Sequence, residues 1–272
     1  MNNNKNNGFY IYGKNPVTEL LKGNSKNVME VVFVDFGKDN NTDKHDFSEI
    51  IQAVKHAKIS TRYLSKKEAE LLVGEGVRTQ RVLAKLKTFK YLDFKDWKDS
   101  FKKNSVEDSL VLILDKIEDP QNFGAIVRSA GAAGVSAVFV ANASQAPVTA
   151  TVFKTSAGVV TKVPIVQVAN ISDTLEKLKD LGFWNYGVDL VEADNESEEK
   201  YPKVSKSMWD QEFDNKTALV VGAEGSGLSR IAKEHCDFLV HIPMEGGVES
   251  LNVSVAAALT MYEWRRHIAK KK

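Results

Sequence analysis

The sequence predicts an α/β protein in two parts, a small α/β unit followed by a larger domain built on a parallel sheet. Three observations predict it. Strand-like and helix-like segments alternate from Ser109 to the carboxyl end, a shorter alternation precedes them, and the charge divides between the two parts. Residues 1–104 hold 20 Lys and Arg against 13 Asp and Glu, a balance of +7, while residues 105–272 hold 17 against 23, a balance of −6. The net charge of +1 conceals this asymmetry. A basic front on an acidic body suits a front that meets a polyanion, because phosphate neutralisation supplies much of the affinity for nucleic acid. A lysine-rich solvated surface would give the same count.

The first eight residues, Met1 to Gly8, are polar and asparagine-rich and read as a disordered tail without a signal region. Residues 9–88 form the front unit. Within it, Val28-Met29-Glu30-Val31-Val32-Phe33-Val34 reads as a buried strand, and Phe47, Ile50, Ile51 and Val54 fall at helical spacing between Phe47 and Lys58. Residues 89–108 include the charge-rich stretch Lys90 to Asn104, which lacks a sustained apolar run and reads as a linker with some helix. In residues 109–272 the predicted strands are Leu110–Leu114, Ala137–Val140, Ile165–Val168, Trp184–Val188, Thr217–Val221 and Leu239–Ile242. Helices are predicted near Gly124–Gly134, Thr149–Ala157, Ser172–Leu181, Leu228–His235 and Leu251–His267.

Several function classes drop out. No stretch approaches the ~18 consecutive apolar residues of a bilayer span, so no membrane partner is expected. The single cysteine, Cys236, forms no intramolecular disulfide, and five scattered histidines make no ligand cluster, so a metal-free mechanism in a reducing cytoplasm is expected. His235 and Cys236 have no third group to orient them as a nucleophile and its base.

Three segments can carry chemistry. The first runs from Asp115 to Ala130, a strand end, a polar turn and a helix opening. Asn122 is expected as the N-cap, Gly124 allows close backbone approach, and Arg128 lies on the first turns. Asp-Pro followed by Asn is also ordinary helix-start punctuation, but a permanently charged guanidinium at the carboxyl edge of a sheet suits a phosphate. The second runs from Ala218 to Ser229, an apolar strand entering a glycine-rich turn. Gly222 and Gly227 have the outer spacing of a phosphate-binding loop, yet Leu228 stands where that loop needs its lysine. Such a turn suits a ligand without a phosphate chain, or no ligand at all. The third runs from Ile242 to Ala258, where a strand ends at Pro243, a two-glycine loop follows, and Ser250 and Asn252 meet a helix rich in small residues.

In this order and spacing, the three segments resemble the signature motifs of the SpoU/TrmH branch of the SPOUT methyltransferases, over Leu110 to about Arg266. The stretch Tyr12 to Leu21 is similar to that family's amino-terminal substrate-binding domain, which has a ribosomal-protein-like α/β fold. A departure occurs where the family's usual His-Gln-Gly is replaced by Thr79-Gln80-Arg81. The resemblance implies a SPOUT-type α/β catalytic domain with a trefoil knot, a topology almost absent from folds in general, and a homodimer. It implies S-adenosylmethionine as cofactor, contacted by Gly222, Ile242 and Leu251 with Met244 and Ser250 nearby. It places Asn122, Arg128, Glu224 and Asn252 at the positions associated with the reaction.

The implied reaction is 2′-O-methylation of a ribose in RNA. A full extra domain at the front is most similar to the bacterial 23S ribosomal RNA guanosine methyltransferases, so ribosomal RNA ranks first and transfer RNA second. A non-catalytic RNA-binding or ribosome-assembly protein of the same fold is the rival from another class, and a nucleotide hydrolase is weakened by Leu228. Transfer from a sulfonium is an in-line displacement, so the protein must chiefly align the partners and help remove a proton. The family proposal makes the first motif's arginine the base. An arginine pKa of about 12.5–13.8 makes Arg128 a poor base and a good phosphate anchor, and leaves Glu224 as a competing proton acceptor.

Overall fold

Val31 to Val34 are buried on both faces of one strand, as expected where an apolar run is uninterrupted. The computed structural model describes residues 9–37, 41–86, 89–104, 107–189, 205–247 and 250–271. The expected tail, residues 1–8, lies outside the described residues, as do Val248 and Glu249 of the third motif. The chain forms two units, residues 1–90 with 148–162 and residues 91–147 with 163–272.

The front unit contains β1 (Tyr10–Tyr12), α1 (Lys14–Asn24), β2 (Val28–Val34), α2 (Asn41–Asp46), α3 (Ser48–His56), β3 (Ser60–Leu64), α4 (Lys66–Val73) and β4 (Val82–Leu86). Its sheet has the order β1-β4-β2-β3, with β2 and β3 parallel and the other pairs antiparallel. Helix α3 is amphipathic as predicted, burying Ile50 and Val54. Helix α4 starts on a capping box in which Ser65 and Glu68 exchange side-chain and backbone hydrogen bonds.

In this unit the Thr79-Gln80-Arg81 departure finds a structural use. Gln80 Oε1 accepts the Lys14 N–H at 2.8 Å, satisfying a donor of the first turn of α1. Arg81 grips Asp43 with two nitrogens at 2.8 and 2.9 Å and also donates to the carbonyls of Val34 and Asp35. The guanidinium beside Asp43, with the Gly37 N–H, holds that carboxyl below its ordinary value.

In the larger unit, residues 94–104 of the expected linker form α5 (Phe94–Asn104), which buries Trp97 at 4% exposure in the core. The unit continues through β5 (Ser109–Leu114), α6 (Pro120–Ala133) and β6 (Ala137–Ala141). Helix α7 (Ala150–Thr155) falls in the segment grouped with the front unit, where it packs on β1. Then come β7 (Ile165–Val168), α8 (Ile171–Lys179), β8 (Trp184–Val188), β9 (Ser205–Ser207), β10 (Lys216–Val221), α9 (Arg230–His235), β11 (Phe238–His241) and α10 (Val253–Lys271).

The second sheet is parallel throughout, in the order β7-β6-β5-β10-β8-β11-β9. Strand β5, next to the central β10, is buried along its whole length. Val111 and Ile113 join Trp97, Leu175, Leu178 and Ala232 on the side of α5, α8 and α9. Leu110, Leu112 and Leu114 alternate to the other face and are equally buried, and α10 touches β8 and β10. Helices α6 and α10 pack together along their length, with Asn122 meeting Asn252 at one end and Gly134 approaching Arg265 at the other, so the two run parallel. From β5 the chain steps outward through β6 and β7, then crosses to β8, and β10 returns to lie between β5 and β8. The carboxyl edge at such a reversal is where open α/β sheets place ligands. Among the described residues no helix is long and apolar enough to cross a membrane.

Candidate active site

Three loops leave the carboxyl ends of β5, β10 and β11 and meet. The first corrects one expectation: Asp119, not Asn122, is the N-cap of α6. Its carboxylate accepts the N–H groups of Gln121 (3.0 Å) and Asn122 (3.3 Å), and Pro120 takes the first helical position. Proline costs nothing there because its missing N–H would have no partner, and with Pro120 opening the helix the residue before it, Asp119, holds the capping position. Asn122 is thereby placed inside the first turn, 9% exposed, with its side chain free of capping duty.

That side chain links the other two loops. Asn122 Nδ2 donates to Glu224 Oε2 at 3.0 Å, while Asn122 Oδ1 accepts from Asn252 Nδ2 at 3.0 Å. Asn252 Nδ2 also reaches Glu224 Oε1 at 3.4 Å, and Asn252 Oδ1 accepts the Ser254 N–H at 2.9 Å, starting α10. Both carboxylate oxygens of Glu224 therefore face amide donors.

The glycine-rich turn is closed by reciprocal hydrogen bonds between Ala223 and Gly227, both at 3.0 Å. A Cβ on Gly222 would lie 2.2 Å from the Gly227 carbonyl, so this position requires glycine for the turn itself. Beyond the turn, Ser229 caps α9 and donates its N–H to Asp115 Oδ2 at 2.8 Å, tying β10's loop to β5's.

Gly222, Ile242, Met244, Ser250 and Leu251 line one hollow, together with Val188, Val221, Glu224 and Val253. Its walls are mostly apolar, and no Lys or Arg is among its described lining residues. Asp189, one residue past β8, also faces it, its side chain 6% exposed and ion-paired with Lys233. Sequence reading missed Asp189; the available signal was a carboxylate at the carboxyl end of a predicted parallel strand. A second, polar hollow adjoins the first, sharing Ala223, Glu224 and Val253 with it, so Glu224 stands on the wall between them.

Arg128 is not part of this cluster. It is exposed, six residues beyond Asn122, which turns it about 240° around α6. Among the described residues it has no ion pair or hydrogen-bond partner. Cys236 is buried at 5% exposure, and burial pushes its thiol far above the ordinary range, which leaves it protonated and unreactive. Among the described residues no group of three or more potential ligands could hold a metal ion.

Comparison with known proteins gives the following. Residues 109–262 match the SpoU rRNA Methylase family, and residues 10–92 match the family described as RNA 2′-O ribose methyltransferase substrate binding. A Bacillus subtilis protein bearing the name TrmH family tRNA/rRNA methyltransferase, YacO, is 35% identical over 255 residues, covering 93% of this chain and 94% of its own. A Staphylococcus aureus protein with the same family name is 39% identical over 223 residues, covering 81% of this chain and 83% of its own. Among solved structures, the SpoU methyltransferase AviRb from Streptomyces viridochromogenes, in complex with AdoMet, matches with a TM-score of 0.73 at 21% identity, over 97% of this chain and 92% of that one. An AdoMet-bound rRNA methyltransferase from Sinorhizobium meliloti also gives 0.73, at 19% identity over 96% and 88%. At those identities the likeness concerns the fold.

Proposed function

The chain belongs to the SpoU rRNA methylase family, and from that premise we propose that this RNA methyltransferase moves the methyl group of S-adenosylmethionine to a ribose 2′-hydroxyl. One observation carries the reading: Asn122, Glu224 and Asn252, from three separate loops, are hydrogen-bonded together beside a mostly apolar hollow with no Lys or Arg among its described lining residues. A hollow with Glu224 on its wall, Asp189 balanced by Lys233 and no Lys or Arg among its described lining residues disfavours a phosphate chain and suits a ligand with positive charge at its reactive centre.

The residues that would hold the donor are Gly222, Ile242, Met244, Ser250 and Leu251. When bound, the donor would supply a methyl group on a sulfonium, its sulfur–methyl bond breaking as the oxygen–methyl bond forms, and would leave as the neutral thioether S-adenosylhomocysteine. The apolar walls would exclude water from that group, and the closed glycine turn fixes backbone that would help align the donor, alignment of the kind worth up to ~7–11 kcal/mol in well-oriented systems. Asn122 and Asn252 set the rotamer of Glu224, which accepts the hydrogen bond of the 2′-hydroxyl and takes its proton as the new bond forms. Arg128 is a phosphate anchor, since a guanidinium stays protonated.

The same reading includes a homodimer. Val255, Leu259 and Tyr262 make a stripe along α10 that is 46%, 40% and 52% exposed, an apolar face of the kind a second copy would cover. Arg128 lies level with Leu259, because α6 and α10 run parallel from the Asn122–Asn252 contact and both residues are roughly 10 Å further on. A second copy seated on this stripe would bring Arg128 to the partner's hollow, which accounts for an anchor turned away from its own. The trefoil knot belongs to this reading too, supported by β10 lying between two strands that precede it in sequence.

For substrate, a guanosine of 23S ribosomal RNA ranks first, supported by the front domain, and transfer RNA second, supported by the tRNA/rRNA names of the relatives. Incubation with methyl-labelled S-adenosylmethionine and purified ribosomal or transfer RNA tests both. Label in ribosomal RNA is expected; label in transfer RNA alone would reverse the ranking, and label in neither would remove the activity.

A further inference from the structure

The polar hollow beside Glu224 is lined by Lys116, Ile117, Glu118, Asp119 and Asn122 from the β5 loop. Three carboxylates, those of Glu118, Asp119 and Glu224, border it, and Lys116 is the single cation among its described lining residues. A ribose in RNA cannot reach Glu224 without its phosphates, and three negative charges would oppose them.

The backbone of Lys116 is held in an unusual conformation from both sides. On one side, Asp115 N–H donates to the Val221 carbonyl at 2.9 Å and its carboxylate takes the Ser229 N–H. On the other, Ile117 N–H donates to Gln145 Oε1 at 3.1 Å and its carbonyl accepts the Ala146 N–H at 2.8 Å. Between these clamps Lys116 sits at φ 63°, a region that glycine adopts freely and a residue with a Cβ disfavours. Its side chain is exposed and has no ion pair or hydrogen bond among the described residues. Folding alone would be better served by glycine at this position.

We propose that Lys116 is a substrate-binding residue whose ammonium receives a backbone phosphate of the RNA next to the ribose presented to Glu224. The proposal rests on the RNA methyltransferase reading above. It separates the work of two cations: Lys116 neutralises phosphate at the hollow of its own subunit, whereas Arg128 projects from another face of α6.

The test sets folding against binding in one substitution. In Lys116→Gly the thermal midpoint should stay level or rise, since the left-handed conformation suits glycine. The dissociation constant for S-adenosylmethionine, measured by calorimetry, should change less than about 2-fold. RNA affinity, measured on whichever of purified 23S ribosomal RNA or bulk transfer RNA the unaltered protein methylates, should weaken roughly 5- to 10-fold, and the slope of log K against log salt should shrink by about 1. Lys116→Glu should weaken it further and Lys116→Arg should retain most of it. Unchanged RNA affinity and salt slope in Lys116→Gly would overturn the proposal while leaving the methyltransferase reading intact. Failure of the unaltered protein to methylate either RNA would bring down both, and is seen before any variant is made.

Discussion

The Asn252 side-chain amide donates to the Asn122 side-chain oxygen at 3.0 Å, joining residues 130 positions apart at the point where α6 and α10 begin. Because the Asn122 amide continues to Glu224, the contact both aligns two helices and fixes the direction of a carboxylate.

Asn122→Asp removes the donor to Glu224 and sets two carboxylates together, which raises the pKa of one of them. Steady-state methyl transfer should fall by about 10²-fold, the lower end of what positioned proton transfer contributes. Cofactor affinity should change less than about 3-fold. A comparable loss of cofactor binding would show that the asparagine shapes the hollow and has no bearing on Glu224.

Gly222→Ala places a methyl group 2.2 Å from the Gly227 carbonyl, and backbone cannot swing away as a side chain can. The expected cost is about 1–3 kcal/mol, roughly 2–4 °C of thermal midpoint for each kcal/mol, with weakened cofactor binding. A variant as stable as the unaltered protein, with full cofactor affinity, would mean that the turn is looser than its paired hydrogen bonds suggest.

Leu259→Lys puts a charge in the exposed stripe of α10. It should shift sedimentation toward monomer and reduce turnover by at least about 10-fold while the monomer still folds, since a desolvated unpaired charge opposes association. Arg128→Ala should leave the dimer and cofactor binding in place and remove most turnover. A fully active monomer would contradict the shared site.

In the front unit the Arg81–Asp43 contact gives a pH dependence of known sign. Asp43 has a lowered pKa in the folded state, chiefly through hydrogen bonds from Arg81, so its contribution is present above the ordinary carboxylate range and is lost as pH falls through the lowered value. Arg81→Ala should move acid unfolding of this unit to higher pH, read by amide hydrogen exchange of residues 31–37. An unchanged profile would show that Asp43 keeps its charge without the arginine.

The larger sheet was legible in the sequence because β5, β6 and most of β10 are continuous buried apolar runs, and β7 and β8 have the predicted limits. Short elements were less legible: β9, Ser-Lys-Ser, has no apolar residue and is held by pairing with β11. Residues 94–104 read as linker because charge outnumbers apolar side chains there, yet Phe94, Trp97 and Phe101 recur at helical spacing and bury one face of α5. The hollow's lining residues were legible through motif resemblance. Asn122's role inside the helix was not, since choosing between Asp119 and Asn122 as the cap depends on which side chain meets a backbone donor. Asp189 carried no motif, and its place depends on β11 pairing with β8.

The atom that receives the methyl group decides the reaction. The most direct measurement is mass spectrometry of nucleosides digested from RNA treated with the protein and S-adenosylmethionine carrying a heavy methyl group. The heavy methyl is expected on a ribose, as a 2′-O-methylnucleoside, mostly lost with Arg128→Ala and strongly reduced with Asn122→Asp. A heavy methyl on a base would contradict that expectation, as would full transfer by both variants.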